Sequence, residues 1–466
     1  MPFKVARILL GLVFPFLPGL STAASKPNIL LIVADDMGHG DLSCFGSRQI
    51  ATPNIDALAA TGIRATTGYV SGAVCAPSRA GLMTGRYQER FGFEHNLAPS
   101  FPTVAPEALA VPKDERMMPA YLKEAGYATA LIGKWHLGGS KVDWHHPLAR
   151  GFDYYFGRYG GHGHFPTVKS KSILRGREPV TRIAIPYTTD WYTQEAIDFI
   201  DRTPAEQPWF LYLAHDTPHS PLQAKEEDIA RFKHIKDKKR RIYAAMQHCL
   251  DENIGKLVAH LKIKGQLDNT LIVFLSDNGG PTTNNASVNA PFNGQKALVL
   301  DGGVRVPYIF SWPAKLAAGE TYHEPFIALD LLPTFLAAAG IDRKIVEKKP
   351  LDGVNLLPYL KGERKGQAPH ETLYWRILMR SAGIRDGDWK LIRLDDRPPL
   401  LFDLRNDISE QNDIASKHPD KVRELMKKLH DWECSAERPP SFLGNLSYMR
   451  RHSELYDLDY QITQPE

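Results

Sequence analysis

The sequence has few cysteines and little excess of charge of either sign. Four cysteines occur among 466 residues, at Cys44, Cys75, Cys249 and Cys434. Their spacing fits neither a zinc site nor a disulfide framework, although a pair between Cys44 and Cys249 stays open. The net charge of +4 gives nucleic-acid binding no support but is compatible with a polyanionic substrate. A basic run at 236–241 is predicted to be a solvated helix face, with contact to a polyanion as the alternative.

Beyond the N-terminus the sequence lacks apolar runs long enough to cross a membrane, and it lacks internal repeats. At the N-terminus, Lys4 and Arg7 precede an apolar run at 8–20, and small residues follow at 21–25. This order is typical of a secretory signal peptide, and the run is too short for a stable membrane anchor. We therefore expect residues 1–24 to be a signal peptide and the mature protein to be exported, periplasmic or extracellular.

Strand-like and helix-like segments alternate through most of the chain. Four continuous apolar runs, rich in β-branched residues, are typical of parallel strands that are buried on both faces. These runs are residues 28–34, 127–133, 209–214 and 270–276. Helices are predicted between them, for example over 117–124 and 242–264. The alternation predicts an α/β fold with a mostly parallel sheet between helices.

The pattern changes beyond residue 365 to short strands and one amphipathic helix. The predicted elements are a hairpin over 382–393 that turns at Asp386-Gly387, a strand over 401–404 and a helix over 418–433. Asp-Gly is a frequent hairpin turn, and apolar residues of the last segment recur at helical spacing. We therefore predict a catalytic domain at 25–365 and a smaller antiparallel α+β subdomain at 366–466.

Polar side chains follow each of the four predicted strands. They are Asp35 and Asp36, Lys134 and His136, His215 and His219, and Asp277 and Asn278. Because ligands bind at the carboxyl ends of the strands in open α/β sheets, we expect these side chains to form one site. Adjacent carboxylates at a buried sheet end repel each other, which favours a metal site over helix caps for Asp35 and Asp36. Hard oxygen ligands suit Ca²⁺ or Mg²⁺ better than zinc.

The segment from Cys75 to Arg86 carries a highly specific motif. It reads cysteine-alanine-proline-serine-arginine, then alanine-glycine, then leucine-methionine-threonine-glycine-arginine. In these residues the chain resembles the formylglycine-dependent type I sulfatases of the alkaline phosphatase superfamily. Residues 87–96 are similar to the version found in bacterial polysaccharide sulfatases. The resemblance implies an alkaline-phosphatase-like fold and a maturation enzyme that converts Cys75 to formylglycine. The alternative for Cys75 is an ordinary buried cysteine.

Other segments resemble further blocks of the same family. They lie at 133–138, 217–221, 294–298 and 302–307, and Asp301 stands where the family usually has glutamate. The resemblance implies one Ca²⁺ ion, and its implied ligands are Asp35, Asp36, Asp277, Asn278 and the modified residue 75. It also implies a catalytic set made of Cys75, Arg79, Lys134, His136, His219 and Lys296.

The same resemblance implies a role for each catalytic side chain. Arg79 and His136 contact the modified side chain, and His136 is the candidate base. The sulfate is held by Lys134, His219 and Lys296, and either of the last two protonates the leaving oxygen. Histidines ordinarily titrate near neutral pH, which suits proton transfer.

A hydrated formylglycine explains why the family needs a modified residue. It carries two hydroxyls on one carbon, of which the first attacks sulfur and releases the alcohol. Deprotonation of the second hydroxyl then restores the aldehyde and releases sulfate. A serine lacks the second hydroxyl and would have to await water.

Loop residues near the signature and near the strand ends are the candidates for substrate contact. They are His95, Asn96, His162, His164 and His215. The expected substrate is a sulfated polysaccharide or oligosaccharide. One alternative is a phosphonate or phosphodiester hydrolase of the same superfamily. Another is a non-catalytic sugar-binding relative, which would have lost one or more of Cys75, Lys134, His136 and Asp277.

Overall fold

The computed structural model describes most of the chain. The described residues are 26–94, 96, 109–161, 163–346, 349–377, 380–437 and 452–465. The predicted signal peptide and two of the predicted substrate contacts, His95 and His162, lie outside them. No helix among the described residues has both the length and the apolar composition that crossing a membrane requires.

The described residues form sixteen β-strands in three sheets. The strands are β1 (Asn28–Ala34), β2 (Ile63–Ala65), β3 (Gly68–Tyr69), β4 (Ala128–Lys134), β5 (Tyr154–Arg158), β6 (Leu174–Arg175), β7 (Glu178–Pro179), β8 (Trp209–Ala214), β9 (Thr270–Ser276), β10 (Tyr308–Ser311), β11 (Glu320–Tyr322), β12 (Phe326–Ile327), β13 (Thr372–Ile377), β14 (Ser381–Asp386), β15 (Trp389–Leu394) and β16 (Leu400–Asp403). The largest sheet has ten strands in the order β11-β2-β10-β9-β1-β8-β4-β5-β6-β7.

The centre of the large sheet is parallel, as predicted. Strands β9, β1, β8, β4 and β5 run in one direction, and β10 and β6 pair antiparallel at either side. Three of the four predicted strands have the predicted bounds, and β4 lies one residue later than predicted. Because β9, β1, β8 and β4 are consecutive neighbours, their carboxyl ends meet at one edge of the sheet.

Twelve α-helices occur among the described residues. They are α1 (Pro53–Ala60), α2 (Cys75–Thr84), α3 (Met118–Glu124), α4 (Thr188–Arg202), α5 (Glu226–Arg231), α6 (Lys238–Ile263), α7 (Thr282–Asn285), α8 (Asp301–Val304), α9 (Leu331–Ala338), α10 (Leu357–Leu360), α11 (Pro419–Cys434) and α12 (His452–Tyr456). Alternate residues of β1 enter two separate cores: Leu31 packs in the core of α2, α3 and α9, and Ile32 in that of α4 and α6. The sheet is therefore covered on both faces, which explains the continuous apolar runs.

Helix α6 begins four residues earlier than predicted. Asp237 caps it, because its Oδ1 accepts a hydrogen bond of 2.6 Å from the backbone N–H of Arg240. The basic run is therefore the start of this helix. Its lysines are exposed as predicted, but Arg240 is buried and pairs with Asp41 over 2.5 Å. The prediction of a wholly solvated face was wrong at that residue.

The C-terminal region forms a four-stranded antiparallel sheet, β13-β14-β15-β16, against which α11 packs Leu425 and Leu429. The predicted hairpin exists, but Asp386 pairs with Trp389, so its two-residue loop is Gly387-Asp388 rather than Asp386-Gly387. Gly387 has φ 58°, which glycine adopts readily. The small sheet shares a core with α2 and α9, so the fold is the predicted one, a large mixed sheet with a packed antiparallel subdomain.

All four cysteines are free in the structure. A disulfide between Cys44 and Cys249, which the sequence left open, is therefore not formed.

Candidate active site

The edge where four strands end brings the predicted polar residues together. Asp35 and Asp36 follow β1, and Asp277 and Asn278 follow β9, so that the backbone N–H of Asp36 lies 3.3 Å from Oδ1 of Asp277. Lys134, the last residue of β4, reaches Oδ2 of Asp35 over 2.7 Å. Polar residues that follow separate strands thus meet in one contiguous cluster, as the sequence predicts.

Cys75 is the first residue of α2 and points into this cluster. Its Sγ lies 3.5 Å from Oδ1 of Asp35, 3.9 Å from Oδ1 of Asp36 and 3.1 Å from Nζ of Lys296. Burial raises the pKa of the Cys75 thiol, and the charge of Asp277 adds to this effect. The unmodified thiol is therefore protonated at neutral pH and a poor nucleophile, because the thiolate is the reactive form.

Three carboxylates and three cations compensate one another in the cluster. Arg79 binds Oδ2 of Asp277 through Nε and Nη2, each at 2.8 Å, and Nζ of Lys296 lies 2.5 Å from Oδ1 of Asp36. Together with the pair between Lys134 and Asp35, this makes a network in which no member is more than 5% exposed. Buried charges are tolerated only when they are paired, so none of the six can be removed without cost.

The charges set the protonation of the acids. Burial alone would raise the pKa of both Asp35 and Asp36, but the ammonium groups of Lys134 and Lys296 outweigh it and hold both pKa values below the ordinary range. For Asp277, burial and the charge of Asp35 prevail, and its pKa is raised. Asp35 and Asp36 are therefore carboxylates at neutral pH and can serve as metal ligands.

Asn278 supplies the observation that best fits a metal ion. Its Nδ2 donates to Oδ1 of Asp36 over 2.7 Å and to the carbonyl of Gly279. Its Oδ1 is buried and has no hydrogen-bond partner among the described residues. A buried acceptor without a donor is what a hard cation would satisfy, and the neighbouring ligand atoms of Asp35, Asp36, Cys75 and His219 all lie within 4.8 Å of one another.

His219 and His136 flank the cluster. The Nε2 atom of His219 lies 3.4 Å from Oδ2 of Asp36, and its Nδ1 lies 2.5 Å from the carbonyl of Ser220. His136 is partly exposed, and its buried Nδ1 has no hydrogen-bond partner among the described residues. Burial, and then the charges of Lys134 and Arg79, hold the pKa of His136 well below its ordinary value. His136 is therefore neutral near pH 7, which differs from the ordinary titration expected from the sequence.

Backbone strain is concentrated around the cluster. Six non-glycine residues among those described have positive φ, and three of them are Asp36 (68°), His136 (61°) and Ala297 (74°), the residue after Lys296. Such conformations cost free energy and persist where the surroundings enforce them, often at functional sites. The sequence does not predict this strain, since none of the three positions is a glycine, the residue that ordinarily marks positive φ.

The predicted substrate contacts have different positions. The Oδ1 atom of Asn96 accepts from the backbone N–H of Ala76 over 2.9 Å, beside Cys75. His164 is fully buried and its Nε2 lies 2.8 Å from the carbonyl of His219. His215 is also fully buried, and burial lowers its pKa to about 4. Substrate contact by these three residues stays a prediction, and the burial of the two histidines counts against it in their case.

Two residues at the site are not found from the sequence. The hydroxyl of Tyr212, in the middle of β8, accepts from Nη1 of Arg79 over 3.2 Å. The Nδ2 atom of Asn285 donates to the backbone carbonyl of Asp36 over 3.1 Å. The only sequence signal for Tyr212 is a hydroxyl within an otherwise apolar strand, and Asn285 has none.

Comparison with family models gives two matches. A model described as Sulfatase matches residues 27–341, and a model described as N-sulphoglucosamine sulphohydrolase, C-terminal, matches residues 293–435. The first covers more than half of the chain and includes every residue of the cluster.

Individual proteins and solved structures are also similar. N-acetylgalactosamine-6-sulfatase of Homo sapiens is 35% identical over 378 residues, which cover 77% of this chain and 70% of that protein. The crystal structure of Ps i-CgsB in complex with k-i-k-neocarrahexaose superposes with a TM-score of 0.83 and 37% sequence identity. The alignment covers 92% of this chain and 98% of that one. The phosphonate monoester hydrolase of Agrobacterium radiobacter shares the fold, with a TM-score of 0.62 at 20% identity. The alignment covers 88% of this chain and 96% of that one.

Proposed function

This chain belongs to the sulfatase family, and from that premise we propose that it hydrolyses sulfate esters of carbohydrates with Cys75 matured to formylglycine and one bound Ca²⁺ ion. The observation that carries the proposal is the position of Cys75. Its side chain is buried at the start of α2, between the carboxylates of Asp35 and Asp36 and the ammonium of Lys296.

The charge of the cluster favours an anionic substrate. The charges of the three carboxylates and of the cations Arg79, Lys134 and Lys296 sum to zero. A divalent cation on Asp35, Asp36, Asp277 and Asn278 would make the site positive, and the start of a helix adds further positive potential. A sulfate monoester carries one negative charge and would be attracted there.

The ion and the oxidised residue would supply the reactive groups. When bound, Ca²⁺ would neutralise sulfate oxygens and favour the ionised form of a hydroxyl, and the hydrated aldehyde would provide that hydroxyl. The ammonium groups of Lys134 and Lys296 would stabilise the negative charge that develops as the S–O bond breaks. Arg79 holds Asp277 in place through a hydrogen bond from Nε and an ion-pair contact from Nη2, and its Nη1 donates to the hydroxyl of Tyr212.

The two histidines are suited to opposite proton transfers. Neutral His136 can accept a proton, and its ring lies near enough to Lys134 and Arg79 for their charges to lower its pKa. The ring of His219 lies between two acceptors, the carbonyl of Ser220 and the carboxylate of Asp36. A proton on its Nε2 atom would lie on the side of Asp36 and the cluster, which fits a general acid for the leaving oxygen.

Similar proteins support a carbohydrate substrate. The human relative is named for the sulfate of N-acetylgalactosamine, and Ps i-CgsB was solved with k-i-k-neocarrahexaose. We also propose that the protein is exported, because residues 1–24 have the composition of a signal peptide.

The proposed aldehyde requires a maturation partner, a formylglycine-generating enzyme that oxidises Cys75.

Two measurements test the proposal. Mass spectrometry of the peptide that contains residue 75 should find an aldehyde or its hydrate in place of the thiol. Turnover of an aryl sulfate should exceed that of an aryl phosphate and of an aryl phosphodiester. A protein with the aldehyde that prefers the phosphodiester would instead be a phosphonate or phosphodiester hydrolase; a phosphonate monoester hydrolase shares the fold.

A further inference from the structure

Solvent reaches the catalytic cluster beside His219. The side chain of His219 is 26% exposed, whereas those of Lys296 and Asp36 are 6% and 2% exposed, and Cys75 is fully buried. Gly161 lies against this histidine, since a Cβ atom at position 161 would stand 3.2 Å from Cε1 of the ring. The segment that begins at Gly161 therefore borders the opening to the cluster.

The buried His164 ties the same segment to the backbone of His219. Its Nε2 atom lies 2.8 Å from the carbonyl of His219, and its backbone N–H donates to Oε1 of Gln223 over 2.8 Å. Phe165 follows directly, and consecutive Cα atoms are about 3.8 Å apart. Phe165 therefore lies beside the opening, one residue from a group that contacts His219.

The ring of Phe165 is open to solvent. It is 42% exposed, and no other phenylalanine, tyrosine or tryptophan in the described part of the chain is as exposed. A single exposed apolar residue needs no explanation elsewhere on a surface, but this one borders the opening to a catalytic cluster. A stable protein interface buries about 800 Å² on each partner, so one ring is too small for such a partner, whereas it matches a single sugar.

The ring of Phe165 is held in place by its neighbours. Its centroid lies 4.9 Å from that of the buried Tyr187, with 54° between the ring planes. Tyr187 is fixed in turn, because its hydroxyl donates to the carbonyl of Gln223 over 2.8 Å. Pro166 follows Phe165 and restricts its backbone to extended conformations. Contact of this pre-organised ring with a ligand would therefore cost little conformational entropy.

We propose that Phe165 is a stacking platform for the sugar that carries the scissile sulfate. This rests on the proposed function and names what the protein recognises in the substrate beyond the sulfate. If His219 protonates the leaving oxygen, the sugar bonded to that oxygen lies at His219 and extends out through the opening, past Gly161. One face of a pyranose presents C–H groups with partial positive charge, which pack on the negative face of an aromatic ring.

The test measures ligand binding by titration calorimetry in the Cys75→Ser protein with Ca²⁺, in which turnover should be slow. The ligands are k-i-k-neocarrahexaose, N-acetylgalactosamine 6-sulfate and inorganic sulfate, which has no sugar. Phe165→Ala should weaken binding of the tighter saccharide about ten-fold and leave binding of inorganic sulfate unchanged. Phe165→Tyr keeps the ring and should bind the saccharide as the parent protein does.

The matched control is Ile263→Ala. Ile263 is 82% exposed and precedes the start of β9, whereas the cluster follows the end of that strand. This variant should match the parent protein for every ligand. Melting temperatures of all variants should also agree, because both substituted side chains are exposed.

Equal saccharide binding by Phe165→Ala and its parent would overturn the platform. An equal loss for inorganic sulfate would also overturn it, because the substitution would then disturb the sulfate site, as would saccharides that bind the parent no tighter than sulfate. A dimer that Phe165→Ala dissociates would assign the ring to a contact between copies instead. A protein that carries the aldehyde, shows the loss at Phe165→Ala and does not hydrolyse an aryl sulfate would refute the proposed function alone.

Discussion

The ammonium of Lys296 lies 3.1 Å from the sulfur of Cys75. A lysine this close to a buried cysteine would ordinarily favour the thiolate, but burial prevails and the thiol pKa is raised. In the proposed aldehyde hydrate, hydroxyl oxygens would replace the sulfur, and the ammonium of Lys296 could donate a hydrogen bond to one of them.

Substitution of Cys75 tests whether this residue acts as an aldehyde. Cys75→Ser should lower the turnover of an aryl sulfate by about 1,000-fold or more, because a single hydroxyl cannot release sulfate by re-forming an aldehyde. The matched control is Cys434→Ser at an exposed, free cysteine, which should keep full turnover. Circular dichroism and thermal melting should be unchanged in both variants. Full activity of Cys75→Ser would refute the aldehyde mechanism.

Asn278 provides a test of the metal site that does not depend on turnover. Asn278→Ala should weaken Ca²⁺ binding by about ten-fold or more in titration calorimetry, because its oxygen is a predicted ligand and has no hydrogen-bond partner in the described part of the chain. Calcium should raise the melting temperature of the wild type, and less so that of the variant. Asn406→Ala, at an exposed asparagine of the C-terminal region, is the control. A melting temperature and activity that a chelator leaves unchanged would contradict a metal site here.

The buried pair between Arg376 and Glu94 should stabilise the docking of the small sheet. Their side chains are 2% and 0% exposed, and removal of one partner from such a pair costs about 3–5 kcal/mol. Arg376→Ala should lower the free energy of unfolding by this order, measured by denaturant titration. The exposed pair between Arg405 and Asp388 is the comparison, and Arg405→Ala should cost at most about 1 kcal/mol. Equal costs would mean that the first pair does not support the interface.

His370 should make stability depend on pH. Burial opposes its protonation, but Asp330, 2.6 Å away and fully buried, prevails and raises the pKa of His370. The pKa of His370 is higher in the folded than in the unfolded protein. The stabilisation by the charged pair of His370 and Asp330 is therefore complete below about pH 6.5, and it is lost as pH rises through the pKa of the folded protein. His370→Gln should therefore reduce stability at pH 6 by about 1–2 kcal/mol and much less at pH 9. Melting curves of both proteins across this range give the difference. A loss that is the same at both pH values would show that the charge of His370 does not contribute.

The sequence predicts the parallel centre of the fold well. The apolar runs of β1, β8 and β9 are bounded by proline or polar residues, so their ends are visible in the sequence. The start of α6 was misplaced because Asp237, a single capping residue, lies within a charged run that has no apolar periodicity. The hairpin turn was misplaced by one residue, since only strand pairing fixes which two residues form the loop.

For the site, the sequence predicts which residue types meet but not their contacts. The motif and the strand ends indicate Cys75, Asp36 and Lys134, whereas Tyr212 and Asn285 are found only once the strands are paired. The depressed pKa of His136 depends on burial and on two neighbouring cations, both products of tertiary structure. Local sequence carries no information on either.

The loop of residues 282–288 contacts two separate parts of the site. Asn285 donates to the backbone carbonyl of Asp36 over 3.1 Å, and Asn284 donates to Oγ of Ser220, the residue after His219, over 3.2 Å. A change in the length of this loop would therefore displace a predicted calcium ligand and the predicted acid together, so the two positions cannot be adjusted independently.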